Sequence, residues 1–479
     1  MNLLIAISLH ILPFIISAAS TCFEPSPAFP VPSWTHLANN LKPTFDSIDD
    51  KLQELVSESE FDNTSFSVEV TSGSKTLWGS WHTARKQSET RPGTQHVDGS
   101  SQYRIASITK VFTTLAILHQ QKAGNLSLDD PVSYYIEELK SPEYSLPWKD
   151  ITLRALASQL SGIPREFAQS DLINMPEERT AALGLPPTSK KNLPTCDEYN
   201  DYKPCNATDL LSTLKSFSPL FAPNQKSTYS NVNFDLLGLV LENVTGVPYE
   251  QYITKYILEP LKMTYSSLTT PSTDEHAVLP LLPNGQRNYW DVNEGVQSPT
   301  GGIYSSSSDM SKFLRYVLSH YNTLATGVNW FMPQSYSTGI YNFYGMPFEI
   351  FRTDKILPES RRPVTFTTKS GGLPGYYSLV SILEEYGLGF TILVGGNVDL
   401  VGKIQNLLST ILIPAAEEVV WHSIDKHYTG TYVPVKSSHA PLNSSLTLTT
   451  SYANGLQLSS FISNSTVSHF PTFVLQNTC

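Results

Sequence analysis

The spacing of apolar residues along the chain predicts several amphipathic helices. After residue 107, Val111, Leu115 and Leu118 fall on one helical face, and Gly124 is placed to end that helix. The same spacing recurs and predicts further helices at 41–58, 231–244, 249–258 and near 400–420. These segments form the helical part of the predicted fold.

Shorter runs of β-forming residues predict strands before and after the helices. Two strands are predicted to meet at Ser72-Gly73, and three antiparallel strands are predicted within 363–397. Residues 166–226 show no clear period and are predicted to form an irregular insertion. This order of elements indicates an α+β fold, in which an antiparallel sheet is flanked by helices.

The pattern changes near His422. From there, short segments alternate apolar and polar residues, and Asn454-Gly455 marks a tight hairpin turn. We therefore predict a leader at 1–19, a main domain at 20–420 and a small β-rich C-terminal domain at 421–479.

The amino terminus has the form of a secretory leader. Residues 3–20 read LLIAISLHILPFIISAAS, a short apolar core followed by small residues that suit signal peptidase. An uncleaved signal-anchor is the alternative, but the run is short and contains His10 and Pro13. No later segment is predicted to span a bilayer. We expect a secreted chain with no membrane contact after cleavage.

Glycosylation triplets and cysteines agree with export. Six Asn-x-Ser/Thr triplets are candidate acceptors: Asn63, Asn125, Asn206, Asn243, Asn443 and Asn464. The four cysteines allow three pairings. Cys196 and Cys205 lie close together in a polar loop, which favours a local disulfide, and Cys22 with Cys479 would then join the chain ends.

Charge and motif content narrow the function. The 479 residues carry a net charge of −11, and no Lys/Arg stripe follows a predicted helix, so nucleic-acid binding is not indicated. The sequence has no CxxC, HExxH or HxH pattern. It therefore predicts neither a metal site nor a cofactor.

A candidate nucleophile lies where the helix after residue 107 begins. In Ser107-Ile108-Thr109-Lys110, serine and lysine share a helical face, so the amine can reach the hydroxyl. A serine needs such a base, and the helix amino terminus adds free N–H groups. The same spacing occurs at Ser72, Ser212 and Ser423, but the strongly apolar helix directly behind Ser107 favours that position.

Two further short motifs are candidates for the same site. Tyr229-Ser230-Asn231 precedes a predicted helix, whereas the competing match Tyr452-Ala453-Asn454 falls in a hairpin turn. Lys369-Ser370-Gly371 ends a predicted strand. Taken alone, Tyr229 suits a half-buried tyrosine with a wet hydroxyl, and Lys369 suits an edge-strand lysine before a glycine turn.

In this order, the three motifs resemble the active-site signature of serine β-lactamases and penicillin-binding proteins, S-x-x-K, Y-x-N and K-[ST]-G. Residues 151–164 and 299–314 and the GLPGYYS segment also resemble this family, over about residues 40–415. Tyr-Ser-Asn in place of Ser-Asp-Asn points to the class C-like and esterase branch. The resemblance implies an α/β sandwich of the β-lactamase/transpeptidase type, with 20–420 as its catalytic domain.

The resemblance also implies roles on the helix side of the site. Ser107 would be the nucleophile, and Lys110 and Tyr229 would share the work of the general base. Asn231 would hold Lys110 and the substrate. Because a free tyrosine has a pKa near 10, a base near neutral pH needs a shift of about 3 units, or about 4 kcal/mol. One ammonium about 4 Å away supplies roughly that much at an effective dielectric of about 20.

On the strand side, the resemblance implies substrate-binding roles for Lys369, Ser370, Gly371 and Gly372. Lys369 would place positive charge near Tyr229 and the substrate. The backbone N–H groups of Ser107 and Gly372 would form the oxyanion hole. Glu166 follows SGIPR, which differs from the context of a class A glutamate, and is predicted to be a surface residue.

The sequence thus predicts a secreted serine acyl hydrolase of the esterase or amidase type. It would act through an acyl-enzyme on a small-molecule or peptide-like partner: an ester, a lactone or a peptide-like amide. One alternative is an acyltransferase that tailors a secondary metabolite in the same fold. Another is a catalytically silent relative used for binding, although the complete set of motif residues speaks against it.

Overall fold

The computed structural model describes residues 31–167, 203–325, 327–360, 362–435, 443–452 and 455–467, together with 181, 182, 184, 186 and 196. The predicted leader and the predicted pair Cys22–Cys479 lie outside these residues. The described residues divide into two compact units, one within Pro30–Ser423 and one from Ile424 onward.

Among the described residues, ten strands belong to the first unit. They are β1 Ser65–Ser72, β2 Thr76–His82, β3 Gln102–Arg104, β4 Tyr304–Ser306, β5 Ser335–Tyr336, β6 Asn342–Tyr344, β7 Glu349–Thr353, β8 Val364–Leu373, β9 Tyr376–Leu383 and β10 Leu388–Gly395. Eight form one antiparallel sheet in the order β2-β1-β10-β9-β8-β7-β6-β5, and β3 pairs with β4 apart from it. The predicted antiparallel sheet with helices is confirmed, and the short strands β5–β7 were not predicted.

The helices are α1 Trp34–Leu37, α2 Lys42–Ser57, α3 Thr109–Ala123, α4 Leu153–Ala157, α5 Ala207–Leu214, α6 Val232–Thr245, α7 Tyr249–Ile253, α8 Ser298–Gly301, α9 Ser307–His320, α10 Asp399–Leu407 and α11 Ile413–Tyr428. Gly124 ends α3 in a left-handed conformation, as predicted. Val111, Leu115 and Leu118 are buried, as the predicted face requires, and burial extends to every residue from Thr109 to Leu118. The Phe112 ring stacks on Phe313 of α9 at 4.0 Å, and the Thr113 hydroxyl lies 2.7 Å from the Tyr249 hydroxyl.

A π-helical turn, Leu408–Leu412, joins α10 to α11. The resulting 30-residue helical run, Asp399–Tyr428, is long and apolar enough to cross a membrane by length and composition. The expectation that no segment after the leader has this property was therefore wrong. Half of the most apolar stretch is buried inside the protein. A buried core helix also meets this criterion of length and hydropathy.

The predicted irregular insertion contains a helix, α5, which the sequence reading missed. Asn206 caps it by accepting a hydrogen bond from Asp209 N at 3.0 Å, and the Asp209 carboxylate accepts one from Asn206 N at 2.9 Å. The Asn-x-x-Asp spacing was an available signal of this capping box. The predicted disulfide Cys196–Cys205 is confirmed, with its Cα atoms 5.0 Å apart. Asp209 lies near these two sulfurs, but their bond to each other leaves no thiolate to ligate a metal.

The second unit carries an antiparallel sheet of β11 Gly430–Tyr432, β12 Ser445–Ser451, β13 Gly455–Ser463 and β14 Thr466–Val467. The predicted β appendage is confirmed. Of the six candidate glycosylation acceptors, five are exposed, and Asn63 is half-buried. Glycosylation stays a prediction.

Candidate active site

The backbone before Ser107 is held by two neighbouring segments. The Ile105 N–H donates to Ile303 O at 3.0 Å, and the Ile105 carbonyl accepts from Ser378 Oγ of β9 at 2.8 Å. Ala106 has a φ of 48°, a left-handed conformation that costs energy in a residue with a Cβ. The sheet, the segment just before β4 and the turn that leads into α3 are thereby fixed against one another.

Ser107 lies in the single 3₁₀ turn Ala106–Ile108 that leads into α3. It is partly exposed, whereas its neighbours from Ser101 to Leu118 are all buried. The fold therefore leaves Ser107 partly accessible within an otherwise buried segment. This is the access that a nucleophile needs.

Lys110 is fully buried, and its ammonium nitrogen lies 2.9 Å from Ser107 Oγ and 2.9 Å from Thr300 O. Both contacts are to uncharged oxygens. Burial lowers the pKa of Lys110, and although the nearby Tyr229 opposes this change, the positive charge of Lys369 adds to it. A lysine with a lowered pKa can take its neutral form and accept the serine proton.

Tyr229 is placed by the loop before α6. Ser230 N donates to Gln159 Oε1 at 2.7 Å, and Ser230 Oγ donates to Pro164 O at 2.8 Å. The Thr228 N–H donates to the Gln159 carbonyl at 2.8 Å. Because the residues on both sides are anchored, the phenol is held facing the start of α3.

The Tyr229 hydroxyl lies 3.0 Å from Ser107 Oγ. The ammonium groups of Lys110 and Lys369 lie 5.3 and 5.2 Å from the centre of its ring. Burial alone would raise the pKa of the phenol, but the two positive charges outweigh it, and the pKa of Tyr229 is lowered. The three predicted motifs therefore meet around one hydroxyl.

Lys369 reaches the site from β8 and has a carboxylate partner that the sequence reading missed. Its ammonium lies 2.6 Å from Glu349 Oε1, on the neighbouring strand β7. The second oxygen of Glu349 accepts from Ser370 N at 3.0 Å and from Ser370 Oγ at 2.7 Å. Burial tends to lower the pKa of Lys369, but the negative charge of Glu349 prevails and raises it. Lys369 therefore remains a fixed positive charge.

Gly371 brings β8 directly against the turn that holds Ser107. A Cβ built at this position would overlap the Ile105 carbonyl oxygen and would lie 3.0 Å from Ser107 N. The absence of a side chain is what allows this approach. It places the strand that carries Gly372 beside the Ser107 amide, where the oxyanion hole is predicted.

Asn231 and Glu166 differ from expectation. Asn231 Nδ2 donates to Glu166, whereas the hydrogen bonds that hold the Lys110 ammonium go to Ser107 and Thr300. Glu166 is not the predicted surface residue, because its side chain is only 6% exposed. Its SGIPR context gave no sign of burial, because the contact with Asn231, 65 residues away, is one that no local pattern signals.

Thr300 links Lys110 to a buried carboxyl group on α6. Its carbonyl accepts from Lys110, and its hydroxyl lies 2.6 Å from Asp235 Oδ1 and 3.0 Å from Asn231 O. Burial raises the pKa of Asp235 well above its usual value, which favours the protonated carboxyl group. Asp235 thus braces Thr300, the residue whose carbonyl holds the amine of Lys110.

The competing motif matches have exposed lysines or an exposed tyrosine. Lys75, Lys215 and Lys426, the lysines of the other Ser-x-x-Lys matches, are all exposed. Tyr452 is also exposed. Burial together with convergence therefore separates the Ser107 motif from its competitors.

Comparison with known proteins shows the family to which the chain belongs. The family model for Beta-lactamase matches residues 54–407. The chain is 32% identical over 453 residues to the Probable hydrolase M10 of Phoma sp., covering 93% of this chain and 73% of that protein. It is 33% identical over 490 residues to the Probable hydrolase clz13 of Cochliobolus lunatus, covering 97% and 77%.

Solved structures show the same fold. A class C beta-lactamase superposes with a TM-score of 0.58 at 18% identity, covering 78% of this chain and 96% of that one. A Beta-lactamase/D-alanine carboxypeptidase from Yersinia pestis, complexed with citrate, superposes with a TM-score of 0.56 at 21% identity, covering 79% and 98%. The fold is thus of the β-lactamase/transpeptidase class. The chain belongs to the Beta-lactamase family, whose members are serine hydrolases.

Proposed function

We propose that the chain cleaves an ester, a lactone or a peptide-like amide through a covalent acyl-enzyme on Ser107. The observation that carries this proposal is the hydroxyl of the partly exposed Ser107, which lies 2.9 Å from Lys110 Nζ and 3.0 Å from the Tyr229 hydroxyl. Both neighbours have lowered pKa values. A serine between two such groups can lose its proton as it attacks.

In the acylation step, the Ser107 oxygen bonds to the substrate carbonyl carbon while its proton passes to Lys110 or to the Tyr229 phenolate. The carbonyl oxygen becomes an oxyanion, which the backbone N–H groups of Ser107 and Gly372 would stabilise. Loss of one such donor typically costs about 10²- to 10³-fold in rate. The bond to the leaving group then breaks, and that group takes a proton from Tyr229.

In the second step, water bonds to the acyl carbon and gives its proton to Tyr229 or Lys110. The bond to Ser107 breaks, the serine recovers a proton, and a carboxylic acid is released. An alcohol in place of water would give acyl transfer through the same contacts. The acyltransferase alternative therefore differs only in the acceptor.

A substrate panel tests this proposal. Aryl esters, lactones and a β-lactam would be incubated with the protein, with and without an added alcohol, and the intact mass of the enzyme would be followed. We expect a transient acyl adduct with at least one ester or lactone, and no adduct in Ser107→Ala. A folded sample that turns over no substrate and forms no adduct would instead favour the silent binding relative.

We also propose that the protein is secreted and glycosylated. The apolar leader and the exposure of five acceptor asparagines support this proposal. Expression in a eukaryotic host would be followed by amino-terminal sequencing and glycosidase treatment of the protein in the medium. A chain that starts near residue 20 and loses mass on deglycosylation is expected. Retention in carbonate-washed membranes would contradict it and would point to the signal-anchor or to Asp399–Tyr428.

A further inference from the structure

The strand side of the site carries a carboxylate where an anionic substrate group would otherwise find its partners. Glu349 uses one oxygen on the Lys369 ammonium and the other on the N–H and hydroxyl of Ser370. Lys369 is buried, whereas Ser370 is exposed, and the Glu349 side chain is 31% exposed. The negative charge of Glu349 therefore reaches the surface that a bound substrate would face.

Arg165, another cation near the phenol, also has a carboxylate partner. The Arg165 guanidinium lies 5.0 Å from the centre of the Tyr229 ring, and its Nε lies 3.3 Å from Glu166 Oε1. Glu166 also accepts the hydrogen bond from Asn231. Arg165, a third cation beside the phenol, is thus paired with a carboxylate of the protein, as Lys369 is.

The charges around Ser107 cancel in either reactive state. When the Tyr229 phenolate is the base, three cations (Lys110, Lys369 and Arg165) face two carboxylates and one phenolate. When neutral Lys110 is the base, two cations face the two carboxylates. Among these described groups, no positive charge is left over for a substrate anion.

Resting on the function proposed above, we propose that Glu349 determines specificity by excluding substrates with a carboxylate along β8. The preferred substrates are esters or lactones that are uncharged at that position. A substrate carboxylate there would displace Glu349 from Lys369 and Ser370 or remain beside it unpaired. Two like charges about 6 Å apart at an effective dielectric of about 20 repel enough to change a rate about hundredfold.

Two rigid ester pairs test this, each comparing a carboxylate with its isosteric carboxamide. One pair places the group on the leaving side (3-carboxyphenyl and 3-carbamoylphenyl acetate). The other places it on the acyl side (4-nitrophenyl esters of terephthalic acid and of 4-carbamoylbenzoic acid). In at least one pair, we expect the wild type to show a kcat/KM at least about tenfold higher for the carboxamide.

Variants of Glu349 then show whether this residue causes the preference for the carboxamide ester. Glu349→Gln should reduce it by about tenfold or more, and Glu349→Asp, which keeps the charge, should retain it. Glu359→Gln, an exposed glutamate in the loop before β8, is the matched control and should leave both ratios unchanged. If Glu349→Gln does not fold, the wild-type preference must still shrink as salt screens the repulsion.

The outcomes separate this inference from the proposed function. Wild-type ratios within twofold of unity in both pairs, or ratios unchanged in folded Glu349→Gln, would overturn the role of Glu349 while leaving the acyl-enzyme intact. Failure of the wild type to cleave any of the four esters or to form an adduct on Ser107 would overturn both.

Discussion

The helix side and the strand side of the site each contribute one buried lysine, and the two lysines have opposite pKa shifts. Lys110 on α3 contacts two uncharged oxygens, and burial lowers its pKa. Lys369 on β8 is equally buried, but it is bonded to Glu349, and its pKa is raised. The carboxylate of Glu349 therefore makes Lys369 a fixed positive charge, whereas Lys110, which contacts only uncharged oxygens, can act as a proton acceptor.

Burial by itself therefore does not define the role of a lysine. Desolvation acts on both amines, and the sign of the pKa shift follows from the partner. Tyr229 lies between the two, so it receives positive charge from both sides. Removal of Lys110 and removal of Lys369 should therefore change the kinetics in different ways.

Removal of the helix-side amine should have the largest effect. Lys110→Met deletes the proposed proton acceptor, so kcat/KM for an ester should fall by about 10²- to 10⁴-fold. Lys122→Met, at the exposed end of the same helix, is the matched control. Steady-state kinetics on folded samples measure both variants. A Lys110→Met enzyme that retains a tenth of wild-type activity would contradict its role as base.

Removal of the strand-side charge should have a smaller effect of a different kind. Lys369→Met takes away one of the two cations that lower the pKa of Tyr229, so we expect a loss of about 10- to 100-fold. The pH profile of kcat/KM should also move to higher pH, because the phenol then titrates later. Identical pH profiles for Lys369→Met and wild type would show that the strand-side charge does not act on the phenol.

The third prediction concerns the close contact between β8 and the turn that holds Ser107. The Cβ in Gly371→Ala would overlap the Ile105 carbonyl oxygen and push β8 away from the Ser107 turn. We expect a loss of about 1–3 kcal/mol in the free energy of unfolding, together with reduced activity. Gly402→Ala on α10 is the control, since its Cβ would meet nothing within 4 Å. Denaturant titration would refute the close approach if both variants were equally stable.

The smallest effect concerns the buried carboxyl group behind Lys110. The folded-state pKa of Asp235 is raised, so the unfolded chain ionises first as pH rises above about 4, and stability declines. Asp235→Asn removes this ionisation. Relative to wild type, its Tm should therefore rise between pH 4 and pH 7 by at least about 2 °C. A Tm difference that does not change with pH would mean that Asp235 is ionised in the folded protein.

The parts of the site that depend on residues close in sequence could be predicted from the sequence alone. Ser107 and Lys110 could be paired because three-residue spacing fixes one helical face, and β8–β10 could be predicted from their long apolar runs. The pairing of Glu349 with Lys369 could not be predicted, because it depends on the register of the short strand β7 against β8. Glu166 was misjudged for a similar reason: its partner Asn231 is distant in sequence. The charge balance of the site therefore emerges only in three dimensions.

The most direct test of the account is to map, over a range of pH, the adduct formed by an active-site-directed fluorophosphonate. Trypsin cleavage after Arg104 and Lys110 releases the nucleophile in the six-residue peptide IASITK. We predict a single adduct on this peptide, formed at a rate that rises with pH and levels off below the ordinary lysine pKa of about 10.4. An adduct on another peptide, or a rate that continues to rise beyond that pH, would contradict the account.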